Sequence, residues 1–72
     1  MNITDRIEYI IMLVQLFARH YHLTFREAYS YISQHQGIEY SEQNYNILHT
    51  LSFADQVEGL ATYCHRQGGH IL

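Results

Sequence analysis

Apolar residues fall at Ile3, Ile7, Ile10, Ile11, Val14, Phe17, Ala18 and Tyr21, the i, i+3, i+4, i+7 recurrence of one face of an α-helix. A second row, Tyr9, Met12, Leu13 and Leu16, widens the apolar surface beyond that face. Glu8, Gln15, Arg19 and His22 mark the wet side. The helix is expected to start at Thr4, whose hydroxyl can cap the orphan amides, with Asp5 set against the positive end of the dipole. A helix this apolar either forms the centre of its domain or offers surplus surface to a partner.

Thr24-Phe25-Arg26-Glu27 has the spacing of a capping box, so a second helix starts after Thr24. It carries Phe25, Ala28, Tyr29 and Ile32 on one face, expected to point inward, and Gly37 is expected to supply the left-handed residue that closes it. Ile38 to Tyr40 is expected to be a short connector. Ser41 then caps a brief third helix through Leu48, with Tyr45 and Leu48 inward. Ser52 caps the fourth, with Asp55 three residues on, and the inward stripe there is Phe53, Val57, Leu60, Ala61 and Cys64. Gly59 in mid-helix suits the close approach of a neighbour. Gly68 or Gly69 ends the helix, and His70-Ile71-Leu72 forms a tail. The pattern predicts an all-α, compact single-domain bundle of three to four short helices over residues 1–72.

Composition agrees with a folded domain: 47% of the residues are hydrophobic, 15% are charged, and no proline interrupts a helix. A chain of 72 residues buries only about 60% of its unfolded surface, so its stability margin is thin and a partner or a second copy is a common supplement. The net charge is −3, and the four basic residues, Arg6, Arg19, Arg26 and Arg66, are scattered. No basic stripe exists to neutralise a phosphate backbone, which argues against nucleic-acid binding by a single copy. The single cysteine, Cys64, cannot form an internal disulfide. The opening Met-Asn-Ile-Thr-Asp-Arg lacks the basic region of a signal peptide, and Ile10 to Val14 is too short to span a bilayer. The expectation is a cytoplasmic protein with no membrane segment.

Phe17-Ala18, Leu23-Thr24 followed by Glu27-Ala28-Tyr29-x-Tyr31, Gly37-Ile38, Leu48-His49-Thr50-Leu51-Ser52, and Tyr63-Cys64 before Gly68-Gly69 form a recognisable series. In this order they resemble the DUF3791 family of short bacterial proteins of unknown function. The likeness runs from about Val14 to Gly69. The His-Thr-Leu-Ser segment, the acidic amphipathic helix after it and the Cys-x-x-x-Gly-Gly ending are its most specific part. The resemblance implies a helical fold, a bacterial source and, because such proteins tend to be encoded beside other small proteins, including ones that look like ADP-ribosyltransferase toxins, a partner or antitoxin-like role. It implies no catalytic residues.

Candidate chemistry is sparse. His20 and His22 point to different faces of a helix, and no His-x3-His or Cys-x2-Cys spacing supports zinc. His49 reads either as a ligand contact or general base, or as an imidazole bonded to a nearby helix end. The second is favoured because no nucleophile or paired acid stands near it in sequence. Cys64 lies on an inward stripe, where a thiol behaves as a small hydrophobe. Asp5, Glu27 and Asp55 are accounted for by helix starts.

The tyrosines carry the most interest. Tyr21, Tyr29 and Tyr45 belong to core stripes, whereas Tyr9, Tyr31, Tyr40 and Tyr63 have less obvious inward places. These four either form a binding surface or wrap the edges of a small core. The reading is therefore a non-enzymatic helical interaction module that binds a protein partner or itself. Its candidate surface is Tyr9, Met12, Leu13, Leu16, Tyr31, Tyr40 and Tyr63, and its candidate turn is His49 and Ser52. No catalytic residue, cofactor or metal is assigned. The alternatives are an oligomeric DNA-binding regulator and a small His/Cys metal-dependent enzyme built from Cys64, His65 or His70 with His20, His22 or His49.

Overall fold

In a computed structural model of the chain, residues 3–70 are described, with side chains from residue 5 onward. Their helices are α1 (Ile3–His20), α2 (Phe25–Gln34), α3 (Gly37–Gln43), α4 (Tyr45–Leu48) and α5 (Phe53–Arg66). The class is all-α. The radius of gyration is 11.1 Å, matching the value of about 11 Å for a packed chain of this length. Thr4 lies inside α1 rather than before it, and its side chain, like the Ile71-Leu72 tail, is outside the described residues.

The capping chemistry at α2 and α5 follows the sequence. Thr24 N donates to Glu27 Oε1 at 2.8 Å and Glu27 N donates to Thr24 Oγ1 at 3.1 Å, completing the box. Asp55 N donates to Ser52 Oγ at 3.1 Å. At the far end of α5, Gly69 N donates to Cys64 O and Gly68 N to His65 O, both at 3.0 Å. Gly68 has φ 95°, the left-handed residue of a Schellman closure. α1 closes in the same way on a non-glycine: His22 has φ 58°, and Leu23 N donates to Ala18 O at 2.8 Å.

The segment after α2 departs from expectation. The left-handed residue is Gln36, with φ 59°, and Gly37 instead opens α3 in a buried position. A Cβ placed there would lie 2.5 Å from Ile32 Cγ2 and 3.0 Å from Cys64 Sγ. The glycine is needed for close packing of three helices, not for a turn. Ile38 to Tyr40 is therefore helical rather than a connector. Ser41 is not a cap: it is buried inside α3 and its hydroxyl donates to Gly37 O at 2.8 Å. Asn44, with φ −110°, separates α3 from α4, and its side chain donates to Tyr40 O at 2.8 Å.

The core joins Leu13, Val14, Phe17 and Ala18 of α1 to Ala28 and Ile32 of α2 and to Val57, Leu60 and Cys64 of α5. α1 packs against α2, α3 and α5, the central place its wide apolar surface predicts. The buried arc is not the expected one, however. Leu13 is 1% exposed, whereas Ile7 and Ile11 of the first stripe are 54% and 45% exposed. Phe25, Tyr29 and Phe53, all expected inward, are also exposed. For Ile7 and Ile11 the cause is geometric: α2 is about 15 Å long against about 27 Å for α1, so one side of the first half of α1 stays uncovered.

Candidate functional site

The residues proposed from the sequence as an interaction surface do not form one continuous exposed face. Leu13 is core, which removes it from any docking surface. Tyr9, Met12, Leu16, Tyr31, Tyr40 and Tyr63 are each partly buried. Tyr9 Oη donates to Gln56 Oε1 at 2.7 Å, and its ring meets Tyr45 edge-on at 4.9 Å. Burial, followed by the neighbouring Tyr45 and Tyr40, pushes its hydroxyl up to about 12. Tyr31 stacks on Phe17 at 5.9 Å. Tyr40 stacks on Tyr63 at 4.5 Å, with its hydroxyl over Gly59. These rings wrap the core edge.

His49 ends α4 and reaches back along the chain. Its Nδ1 lies 2.7 Å from Tyr45 O, so the proton sits on that nitrogen, since a carbonyl only accepts. The ring stacks on Tyr45 at 4.7 Å. His35 repeats the hydrogen bond with Tyr31 O at the end of α2, at 2.7 Å, with the two rings tilted by 48° at 4.7 Å. Both imidazoles cap helix C-termini through a Tyr-x3-His spacing that the sequence displays twice.

Cys64 is fully buried, and burial pushes its thiol up to about 11. His65 and His70 approach edge-on at 5.4 Å, and His65 Nδ1 meets Gly69 O at 3.1 Å. Among the described residues, no group of three or more His, Cys, Asp or Glu side chains is placed to hold a metal ion. No described helix is long and apolar enough to cross a membrane. The four arginines are all exposed, on α1 (Arg6 and Arg19), α2 (Arg26) and α5 (Arg66).

The exposed apolar surface lies elsewhere. A groove of ≈ 410 Å³ opens where α1, α2 and α3 meet. Its floor and walls are Ile7, Ile10 and Ile11 of α1, Tyr29 of α2 and Ile38 of α3, with Arg6 and Glu42 also lining it. Toward the end of α1, Gln15, Ala18, Arg19, Leu23 and Phe25 line a separate, more open hollow. The rings of Phe25 and Tyr29, one helical turn apart, lie parallel at 6.3 Å, Tyr29 lining the groove and Phe25 the hollow. A separate exposed group, Ile47, Leu51 and Phe53, surrounds the turn between α4 and α5.

Sequence reasoning missed this groove because periodicity identifies apolar positions without showing which arc a neighbour covers. The usable signal was the mismatch in length between the first two helices, together with the i, i+4 pairs Ile7–Ile11 and Phe25–Tyr29.

Residues 8–67 match the model of a family described as a protein of unknown function, DUF3791. No curated protein and no solved structure matches the chain.

Proposed function

We propose that this chain, which belongs to the DUF3791 family, is a non-enzymatic protein-interaction module that docks its partner on the groove between α1, α2 and α3. One observation carries the reading: Ile7, Ile11 and Tyr29 are 54%, 45% and 48% exposed around one groove, and the ring of Phe25, 43% exposed, stacks on Tyr29 beside it. Single exposed apolar residues need no explanation, but a contiguous group rimmed by polar residues is the usual mark of a binding surface. Covering it releases about 25 cal/mol per Å² of apolar area. Aromatic side chains add large contact area at little entropic cost. An antitoxin-like or regulatory partner of a neighbouring gene product is one form of this function.

Quantitative capture from the native host tests the reading with three tagged chains: wild type, Ile11→Glu and Phe53→Glu. A partner recovered by wild type and Phe53→Glu but lost with Ile11→Glu supports it. Equal recovery by Ile11→Glu overturns it.

A further inference from the structure

We infer that Gly68–His70 is a latch over Tyr31, which opens as a unit ahead of global unfolding, and that the covered Tyr31 hydroxyl is what favours the opening. The inference is independent of the docking reading. Tyr31 lies two positions from the groove residue Tyr29 on α2, so the two side chains point to different sides of the helix.

The contact beneath the latch is specific. Gly69 is buried against the end of the Tyr31 ring. A Cβ there would lie 2.5 Å from Tyr31 Oη, 2.9 Å from Tyr31 Cζ and 2.9 Å from Cys64 O. Only a residue without a side chain fits between α2 and the end of α5. Tyr31 is held from below as well, since its ring stacks on Phe17 at 5.9 Å and meets that of His35 at 4.7 Å. The hydroxyl is therefore sealed in place, and it has no hydrogen-bond partner among the described residues. Closing the latch strips water from this phenol and supplies nothing in return. Burial first, then the neighbouring Cys64 and Tyr21, raises its pKa above the ordinary tyrosine value.

What holds the latch shut is local. Gly69 N donates to Cys64 O and Gly68 N to His65 O, both at 3.0 Å. His65 Nδ1 donates to Gly69 O at 3.1 Å. These three bonds tie the latch to the last turn of α5 and none of them reaches another helix. They can break together while Leu13, Phe17, Ile32 and Leu60 stay packed. Gly68 supplies the hinge, with φ 95° and no atom within 4 Å of the place a Cβ would take. Water replaces the broken bonds and also reaches the phenol, so the opening costs less than unfolding the core.

The experiment is native-state hydrogen exchange by nuclear magnetic resonance, in urea below the unfolding transition, on the full chain and its Tyr31→Phe and Gly69→Ala variants. The Gly69 amide reports the latch and the Leu60 amide, in the middle of α5, reports global unfolding. In wild type the Gly69 amide is expected to be protected but nearly insensitive to urea, while the Leu60 amide exchanges faster as urea rises. Tyr31→Phe is expected to slow both amides by the same factor, about fivefold or more, because the closed state no longer seals a bare hydroxyl. If Leu60 slows and Gly69 does not, the helix end frays without uncovering Tyr31, and the inference is overturned. It is overturned equally if the Gly69 amide follows Leu60 in urea, or if it has no protection at all. Gly69→Ala is expected to remove protection at position 69. Its loss at Leu60 is expected not to exceed the protection of Gly69 in wild type, since an open latch has no further contact to strain. A larger loss at Leu60 makes Gly69 part of the cooperative core and rules out the latch.

Discussion

Tyr9 of α1 and Gln56 of α5, 47 residues apart in the chain, are joined by a 2.7 Å hydrogen bond from the tyrosine hydroxyl to the Gln56 carbonyl oxygen. Gln56 is 2% exposed, and its amide nitrogen donates in turn to Leu51 O at 3.0 Å. One buried side chain thus ties the central helix to the turn that precedes α5. Replacing Gln56 by Leu strands two polar groups, which costs about 2 kcal/mol, whereas Tyr9→Phe strands one acceptor and costs about 1 kcal/mol. Urea unfolding of both single variants and the double variant measures the coupling. The double variant is expected to lose less than the sum of the two singles, and strict additivity would show that the bond contributes nothing.

The segment joining α2 to α3 makes opposite demands on two adjacent residues. Gln36 holds a left-handed backbone at a cost of about 1 kcal/mol relative to glycine, so Gln36→Gly stabilises the fold by up to about that amount. His22→Gly at the end of α1 behaves alike, since its φ is 58°. Gly37→Ala drives a methyl into Ile32 and Cys64 and destabilises by about 1–3 kcal/mol. Melting temperatures of the three variants provide the check, and the expected order is that both glycine variants exceed wild type and Gly37→Ala falls below it.

Tyr31 tests a different feature. Its hydroxyl is buried without a hydrogen-bond partner among the described residues. A Cβ at Gly69 would come within 2.5 Å of it. Removing the hydroxyl abolishes a desolvated polar group and no bond. Tyr31→Phe is therefore expected to be as stable as wild type or more so, in contrast to Tyr9→Phe, and a loss of more than about 1 kcal/mol would reveal a partner.

Stability is expected to fall in alkali. Burial raises the pKa of Tyr9 from 10.0 to about 12 and that of Cys64 from 9.0 to about 11, and it also raises Tyr21 and Tyr31. In each case the folded protein keeps a proton that the unfolded chain has released. The stabilisation is complete below the unfolded pKa and disappears as pH rises through the folded one. The urea midpoint should hold up to about pH 9 and decline through about pH 12. Replacing Cys64 by Ala should move the onset upward, at the cost of a small cavity.

Local chemistry made much of this legible in advance. The starts of α2 and α5 were readable because Thr24 and Ser52 satisfy amides three residues away, within a single turn. The central place of α1 followed from an apolar surface too wide for one neighbour. What stayed hidden depended on tertiary packing. Gly37 has the sequence position of a helix stop, yet it serves a contact with Ile32 and Cys64 that no local pattern displays. Leu13 and Ile7 are equally apolar, and only the placement of α2 and α3 decides which is buried. Gln56 falls at helical spacing with Phe53 and Leu60, and a polar residue so near the inward stripe was the one sign of a buried polar bond.

A partner docked on the α1–α2–α3 groove would lie against Ile11. The most direct measurement places a photoreactive benzoylphenylalanine at Ile11 in the native host, with the same group at exposed Thr62 of α5 as the comparison. A discrete adduct from position 11 and none from position 62 is the predicted result. No adduct from position 11, or the same adduct from both positions, would contradict it.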